Sequence, residues 1–269
     1  MNLRYAMPAK AIIVLLLLLL NLIAVSQALA DGLEDARRRG SLLVGVKTDF
    51  PPFGYIDRAG KIQGFDVEIA RVLARALFNE DGRMEPVPVT SGSRIPFLYS
   101  EWIDLIIATM TITEERRQVL EFSEPYFLSG SLLLVPKDSP IKGLEDLAQK
   151  SVGIIEGAIQ EKDFATIAPA ARRVLFRHVP DAVQALKQKR LDAFCQDDVL
   201  MLTLAKENPD LRTAGKPFLP RPYAIAARKG ELTSIRWVNE QLVRMKKDGT
   251  YDQLWQRYFG EFGGLLTKP

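Results

Sequence analysis

The chain has 269 residues, with 36 Lys and Arg against 33 Asp and Glu, one histidine and one cysteine. So small a charge excess argues against a nucleic-acid or membrane-surface partner held by electrostatics, and a single cysteine excludes an internal disulfide. With 47% apolar residues the length can build one large core or two of ordinary size, held by packing alone.

The first thirty residues carry Arg4 and Lys10 but no acid, then an apolar run over 11–25, then Ala28, Leu29 and Ala30. This pattern predicts a cleaved secretory signal peptide over 1–30 and an exported mature chain from Asp31. No cysteine follows the cut at once, so no lipid anchor is expected. Without Arg4 and Lys10 the mature chain balances 34 cations against 33 acids.

Residues 42–46 form a short apolar run between Gly40 and a turn-like stretch at 49–54, the pattern of a buried parallel strand. From Gly64, the residues Phe65, Ile69, Val72, Leu73 and Ala76 recur at helical spacing, with Glu68, Arg71 and Arg75 opposite. A strand over 84–89, a short helix over 94–99 and an apolar strand over 104–110 follow, which predicts a parallel sheet flanked by helices. After a turn-rich stretch at 136–140 the alternation begins again: strands over 152–155, 174–176 and 191–195, with helices from about Gln160 and over 182–189 and 199–205. That is a second lobe. The proline-rich residues 216–222 are expected to carry the chain back, with 223–227 as a strand rejoining the first sheet.

Two amphipathic helices close the chain. Ile235, Val238, Leu242 and Met245 share one face of the first, and Gly249 suits its C-terminal stop. Thr250 and Gln253 predict a capping box ahead of Leu254, Trp255, Tyr258 and Phe259, aromatics expected in the core. Cys195 is expected as a small buried hydrophobe.

Chemistry concentrates where strands hand over to helices. Thr113 is a good N-cap, and Glu114 and Glu115 suit the positive end of a helix dipole. Arg116 opposes that dipole unless an anion is present, and its fork can clamp a carboxylate; the alternative is a surface arginine paired with Glu114 or Glu115. In the second half, Asp197 and Asp198 stand at the corresponding place, one able to cap the helix while the other accepts from an ammonium. A carboxylate clamp and an ammonium acceptor on opposite lobes are what a zwitterionic amino acid requires.

The runs GFDVEIARVL at 64–73, ATMTITEERRQVLEFSEPYF at 108–127, LDAFCQDD at 191–198 and KKDGTYDQLW at 246–255 resemble the periplasmic polar amino-acid-binding proteins of ABC importers, solute-binding family 3. The resemblance spans nearly the whole mature chain. It implies a two-lobed periplasmic-binding-protein-like α/β fold of type II, each lobe a mostly parallel sheet flanked by helices, joined by two hinge crossovers. Lobe 1 would comprise 31–130 and 220–269, and lobe 2 would comprise 131–219.

By the same resemblance Arg116 grips the ligand α-carboxylate with Thr111, Thr109 contributes backbone contacts to the α-amino group, Asp197 takes the ammonium, and Phe50 packs on the ligand. Ser91 and Arg94, within VPVTSGSRIP, and Lys47, within GVKTDFPPF, match the acidic amino-acid binders, so the expected ligand is glutamate or aspartate ahead of a neutral residue such as glutamine. Ordinary alternatives are a solvated Lys47 and an Arg94 directed toward Glu101. Relatives often show Gly-Ser-Thr where this chain has Gly157, Ala158 and Ile159, which removes two hydroxyls. His178 falls one position from a ligand-contacting histidine and is expected at the surface.

The implied partners are an amino acid and an inner-membrane ABC permease; the protein is expected to be a monomer with no nucleic-acid partner, cofactor or metal. One alternative is an exported enzyme resembling cyclohexadienyl dehydratase, with Glu156 as its general acid. Another is the ligand-binding module of a membrane sensor, disfavoured because no signalling domain is visible through Pro269.

Overall fold

The computed structural model describes residues 32–79, 83–266 and 268, so the leader expected over 1–30 lies outside the described residues. Helix α1 (Gly32–Arg39) leads into strands β1 (Leu42–Val46), β2 (Asp49–Phe50), β3 (Gly54–Ile56) and β4 (Ile62–Gln63). Then come α2 (Phe65–Phe78), β5 (Met84–Pro88), α3 (Arg94–Tyr99), β6 (Leu105–Ile106), α4 (Glu114–Val119) and β7 (Leu120–Phe122). The second sheet is built from β8 (Phe127–Pro136), β9 (Ser151–Ile155), α5 (Gln160–Ile167), β10 (Arg172–Phe176), α6 (Val179–Lys187), β11 (Ala193–Asp197), α7 (Asp198–Glu207) and β12 (Leu211–Tyr223). The chain then returns through β13 (Ala226–Arg228) and closes with α8 (Leu232–Lys247) and α9 (Thr250–Phe259).

The two five-stranded sheets run β5-β1-β6-β13-β7 and β10-β9-β11-β8-β12, which gives the expected two-lobed α/β architecture. In each, three strands pair in parallel, β5, β1 and β6 in one and β10, β9 and β11 in the other, while the remaining pairs are antiparallel. The antiparallel halves arise because the chain passes between lobes twice, and each passage leaves a strand lying back along its neighbour. Parallel βαβ units put their ligand-binding edge at the carboxyl ends of the strands, and the parallel halves of the two sheets meet along that edge.

Several boundaries moved. The apolar run at 104–110 pairs as a strand only over Leu105–Ile106, because the chain turns at Thr109, whose φ is 47°. The proline-rich 216–222 is part of β12, which pairs with β8 through two register irregularities that accommodate its prolines. Tyr223, expected in the returning strand, instead ends β12 opposite Phe127. The capping box at Thr250 is absent: no side chain caps α9, and the Thr250 amide donates to Asp248 Oδ1 at 2.9 Å. Gly249, at φ 83°, does turn the chain between the two helices. The Thr113 cap forms, its hydroxyl accepting from the Arg116 amide at 3.2 Å, and Cys195 is fully buried as expected.

The aromatics of α9 enter the core of the first lobe. Phe65 lies with ring centroids 4.8 Å from Phe259 and 6.5 Å from Trp255, and Phe127, the first residue of β8, lies 4.8 Å from Phe53 and 5.1 Å from Trp255. Such edge and offset pairs add about 0.5–1.5 kcal/mol beyond their burial, and here they anchor the strand that carries the chain between lobes. Phe65→Ala is therefore expected to lower the unfolding free energy by about 3–5 kcal/mol, read as a lower urea midpoint with an unchanged slope.

Candidate functional site

Three loops of the first lobe leave the carboxyl ends of β1, β5 and β6, and they carry Lys47, Ser91 and Thr109. All three are buried. Lys47 is only 2% exposed; its ammonium donates to Ser91 Oγ at 2.8 Å and stands 5.5 Å from the centre of the Phe50 ring. Burial, and next the nearby Arg94, bring its pKa down to about 7. A solvated Lys47 is thus ruled out, and Phe50 supports this ammonium as well as lining the cleft.

Arg94 begins α3 and turns inward, 2% exposed, rather than toward Glu101. Its Nη1 donates to the carbonyl oxygens of Ala108 and, at 3.1 Å, of Thr109, while its Nε is buried without a partner. Burial, and then Arg116, lower its pKa to about 9. On the far side of the same turn Asp66 Oδ2 accepts from the Thr109 amide at 2.9 Å, and Asp66 Oδ1 accepts from Tyr126 Oη at 3.0 Å. Burial raises the Asp66 pKa to about 7 against those two bonds. Asp66 and Arg94 together hold Thr109 in a left-handed conformation that a β-branched residue adopts only under constraint.

Arg116 pairs with neither Glu114 nor Glu115. Its Nη1 donates to the Thr111 carbonyl at 2.8 Å, and its Nη2 crosses to the Gly157 carbonyl of the second lobe at 3.1 Å. Burial lowers its pKa, while the charge of Asp197 acts in the opposite direction. Asp197 ends β11, 7% exposed, and makes no helix-cap bond. Its oxygens accept from Gln160 Nε2 at 2.7 Å and from the hydroxyl of Tyr223. Burial raises its pKa to about 6 in spite of these bonds. Asp198 turns away, accepting from Ser129 Oγ at 2.6 Å, the Gly130 amide at 3.0 Å and the Val199 amide at 2.8 Å, and the N-cap bond expected from one member of the pair does not form.

Phe50, Ser91, Arg94, Thr109, Thr111 and Asp197 line one inner gap, with Ala158 and Ile159 presenting methyl groups to it. The gap measures only about 10 Å³, so a ligand enters with the lobes apart. A neighbouring cavity of about 240 Å³ opens outward past Arg116. Across the mouth, Glu115 pairs with Lys162, and Asp49 accepts from the Val179 amide at 3.1 Å and lies 3.4 Å from His178 Nδ1. His178 is accordingly exposed, as expected, but it forms a bridge between the lobes. Glu156, the candidate general acid, is half exposed beside Arg177 at 3.4 Å and does not line the inner gap. Sequence reasoning missed Asp66, Tyr126, Gln160 and Tyr223, since nothing in their spacing distinguishes them from ordinary core and helix-start residues. Among the described residues no cluster of metal-ligating side chains occurs, and no helix is long and apolar enough to cross a membrane.

Residues 42–261 match the model of the bacterial extracellular solute-binding proteins, family 3. The ABC transporter glutamine-binding protein GlnH of Bacillus subtilis (strain 168) is 36% identical over 240 residues, 88% of each chain. The L-cystine-binding protein TcyJ of Escherichia coli (strain K12) is 33% identical over 231 residues, 85% of this chain and 86% of that one. A solved structure described as an ancestral arginine-binding protein bound to glutamine superposes with a TM-score of 0.78 at 40% identity, covering 82% of this chain and 99% of the other.

Gly157, at φ 73°, sits where the lobes touch: a Cβ there would lie 2.7 Å from Gly92 Cα. Gly157→Ala is expected to hold the lobes apart, read by solution scattering as a larger radius of gyration than that of the wild type. Gly60→Ala is the control, because Gly60 shares the positive φ but has nothing within 4 Å of its Cβ position.

Proposed function

We propose that this chain, which belongs to the bacterial extracellular solute-binding proteins, family 3, captures a polar amino acid with an uncharged side chain, glutamine foremost, and presents it to the membrane permease of an ABC importer. The carrying observation is that Arg116 of the first lobe lines the outer cavity and Asp197 of the second lobe lines the adjoining inner gap, close enough for their charges to act on each other. A zwitterion complements that pair. Its carboxylate meets Arg116 and the Thr111 segment, its ammonium meets Asp197 and the Thr109 segment, and its aliphatic part lies against Phe50. The function is exercised outside the cytoplasm, in the periplasm, after removal of the leader.

Only closed lobes offer both halves of the site, so the ligand stabilises the closed form. The chain passes between lobes at 123–126 and 224–225, and these passages act as the hinge. Micromolar capture corresponds to about 8 kcal/mol, within reach of a few desolvated charge-assisted hydrogen bonds after ordering costs.

Lys47, Ser91 and Arg94 face the ligand side chain. Arg94 and the protonated form of Lys47 are two buried cations that disfavour an arginine or lysine ligand, because like charges in a dry site repel strongly. They can donate to the carbonyl of a glutamine side chain, and the glutamine-named relative supports that choice. The same two cations favour a second reading, glutamate or aspartate, whose side-chain carboxylate they would neutralise; none of the relatives described above is named for an acidic ligand.

Titration calorimetry with glutamine, glutamate, aspartate, cystine and arginine at pH 7.5 tests this assignment. Glutamine is expected to bind and arginine not to; glutamate binding more tightly than glutamine would establish the second reading instead. Arg116→Ala is expected to weaken binding of every amino acid by at least about 30-fold, as for loss of one partner of a buried charge pair. The ammonium needs Asp197 ionised, and burial holds that group's pKa at about 6. Affinity is therefore expected to fall roughly tenfold per pH unit below about pH 6, measurable in the same titrations carried down to pH 4.5.

A further inference from the structure

The inner gap contains a polar atom that the amino-acid contacts described so far leave unused. Gln160 opens α5, is 1% exposed, and donates through Nε2 to Asp197 Oδ1 at 2.7 Å and to Ser131 Oγ at 2.9 Å. Both amide hydrogens are thereby engaged. The carboxylate also fixes which end of the amide is which, since the flipped amide would set its oxygen against Asp197, acceptor facing acceptor. In this orientation Oε1 is buried with no hydrogen-bond partner, on a residue that lines the gap together with Asp197, Thr109 and Thr111. Native interiors leave few such oxygens unbonded, and each calls for a physical reason.

We propose that Gln160 is a ligand-contacting residue whose Oε1 accepts an N–H from the α-ammonium of the bound amino acid, beside the carboxylate of Asp197. Resting on the amino-acid function proposed for this chain, it adds a second acceptor at the ammonium. The chemistry suits a glutamine. An ammonium offers three hydrogens, and each Asp197 oxygen already accepts one bond, from Gln160 or from Tyr223. A neutral carbonyl supplies another acceptor without placing a second negative charge against Asp197 in a dry site. The residue would also select amino acids over 2-hydroxy and 2-oxo acids, which bring fewer hydrogens and would leave buried acceptors unpaired.

The test is calorimetry on wild type, Gln160→Met, Asp197→Asn and the double variant with L-glutamine and L-glutamate at pH 7.5, where both ligands carry the α-ammonium. Gln160→Met is expected to weaken every amino acid that the wild type binds by about 10- to 100-fold. Asp197→Asn is expected to keep a Gln160-dependent part of its affinity, which the double variant loses. Undiminished affinity in Gln160→Met, or a loss confined to one ligand side chain, would overturn the contact with the ammonium. So would a Gln160→Met loss that vanishes in the Asp197→Asn background, because Gln160 would then act only by orienting Asp197. A wild type that binds no amino acid overturns the proposed function and this contact with it; a wild type that binds alongside an unaffected Gln160→Met removes the contact alone.

Discussion

Burying an ion costs several kcal/mol even after a protein relaxes around it, and the cost is recovered only where hydrogen bonds and opposite charges surround the group. Lys47, Asp66, Arg94 and Asp197 are all buried within one cleft region, with Arg116 beside them. Each is held by named partners: Lys47 by Ser91 and the face of Phe50, Asp66 by the Thr109 amide and Tyr126, Arg94 by two main-chain carbonyls, Asp197 by Gln160 and Tyr223. Those partners come from both sheets and from both passages between them. The carboxyl ends of β1, β5, β6, β9 and β11 must therefore converge before any of these charges can stay out of water.

The hinge is tied into the same network. Tyr126 lies just before β8 and Tyr223 ends β12, the two segments by which the chain passes between lobes. Each donates its hydroxyl to one of the two buried carboxylates, Tyr126 to Asp66 in the first lobe and Tyr223 to Asp197 in the second. Behind them Phe127 stacks on Tyr223 at 5.7 Å and on Trp255 at 5.1 Å. The two strands that pass between the lobes are thus fixed where they cross, both by aromatic packing and by bonds to the two buried carboxylates.

The elements were largely legible because their signals are local. Apolar runs of strand length, helical spacing on α2 and α8, and Thr113 at a helix start all depend on residues within a few positions, and each forms where expected. The errors share one cause. Residues 104–110 look like one strand, yet Asp66 and Arg94, distant in sequence, bend the chain at Thr109. Asp248 took the amide that Thr250 was expected to share with Gln253. In the site, Arg116, Asp197 and the basic corner could be named from residue type and motif, whereas Gln160 and Tyr223 could not, because only contact with Asp197 gives them a part.

By itself the sequence determined the alternation of strands and helices in two halves, the aromatic face of α9, and which charged side chains stand at strand ends. These follow from periodicity and from the chemistry of single residues. Only the tertiary structure decided that Lys47 is a buried amine on Ser91, that Arg94 holds a main-chain turn, that Arg116 reaches Gly157 across the cleft, and that Gln160 Oε1 is buried without a hydrogen-bond partner. The physical reason is that desolvation and hydrogen-bond partnership belong to groups brought together from distant parts of the chain, and neither quantity exists until the two sheets meet.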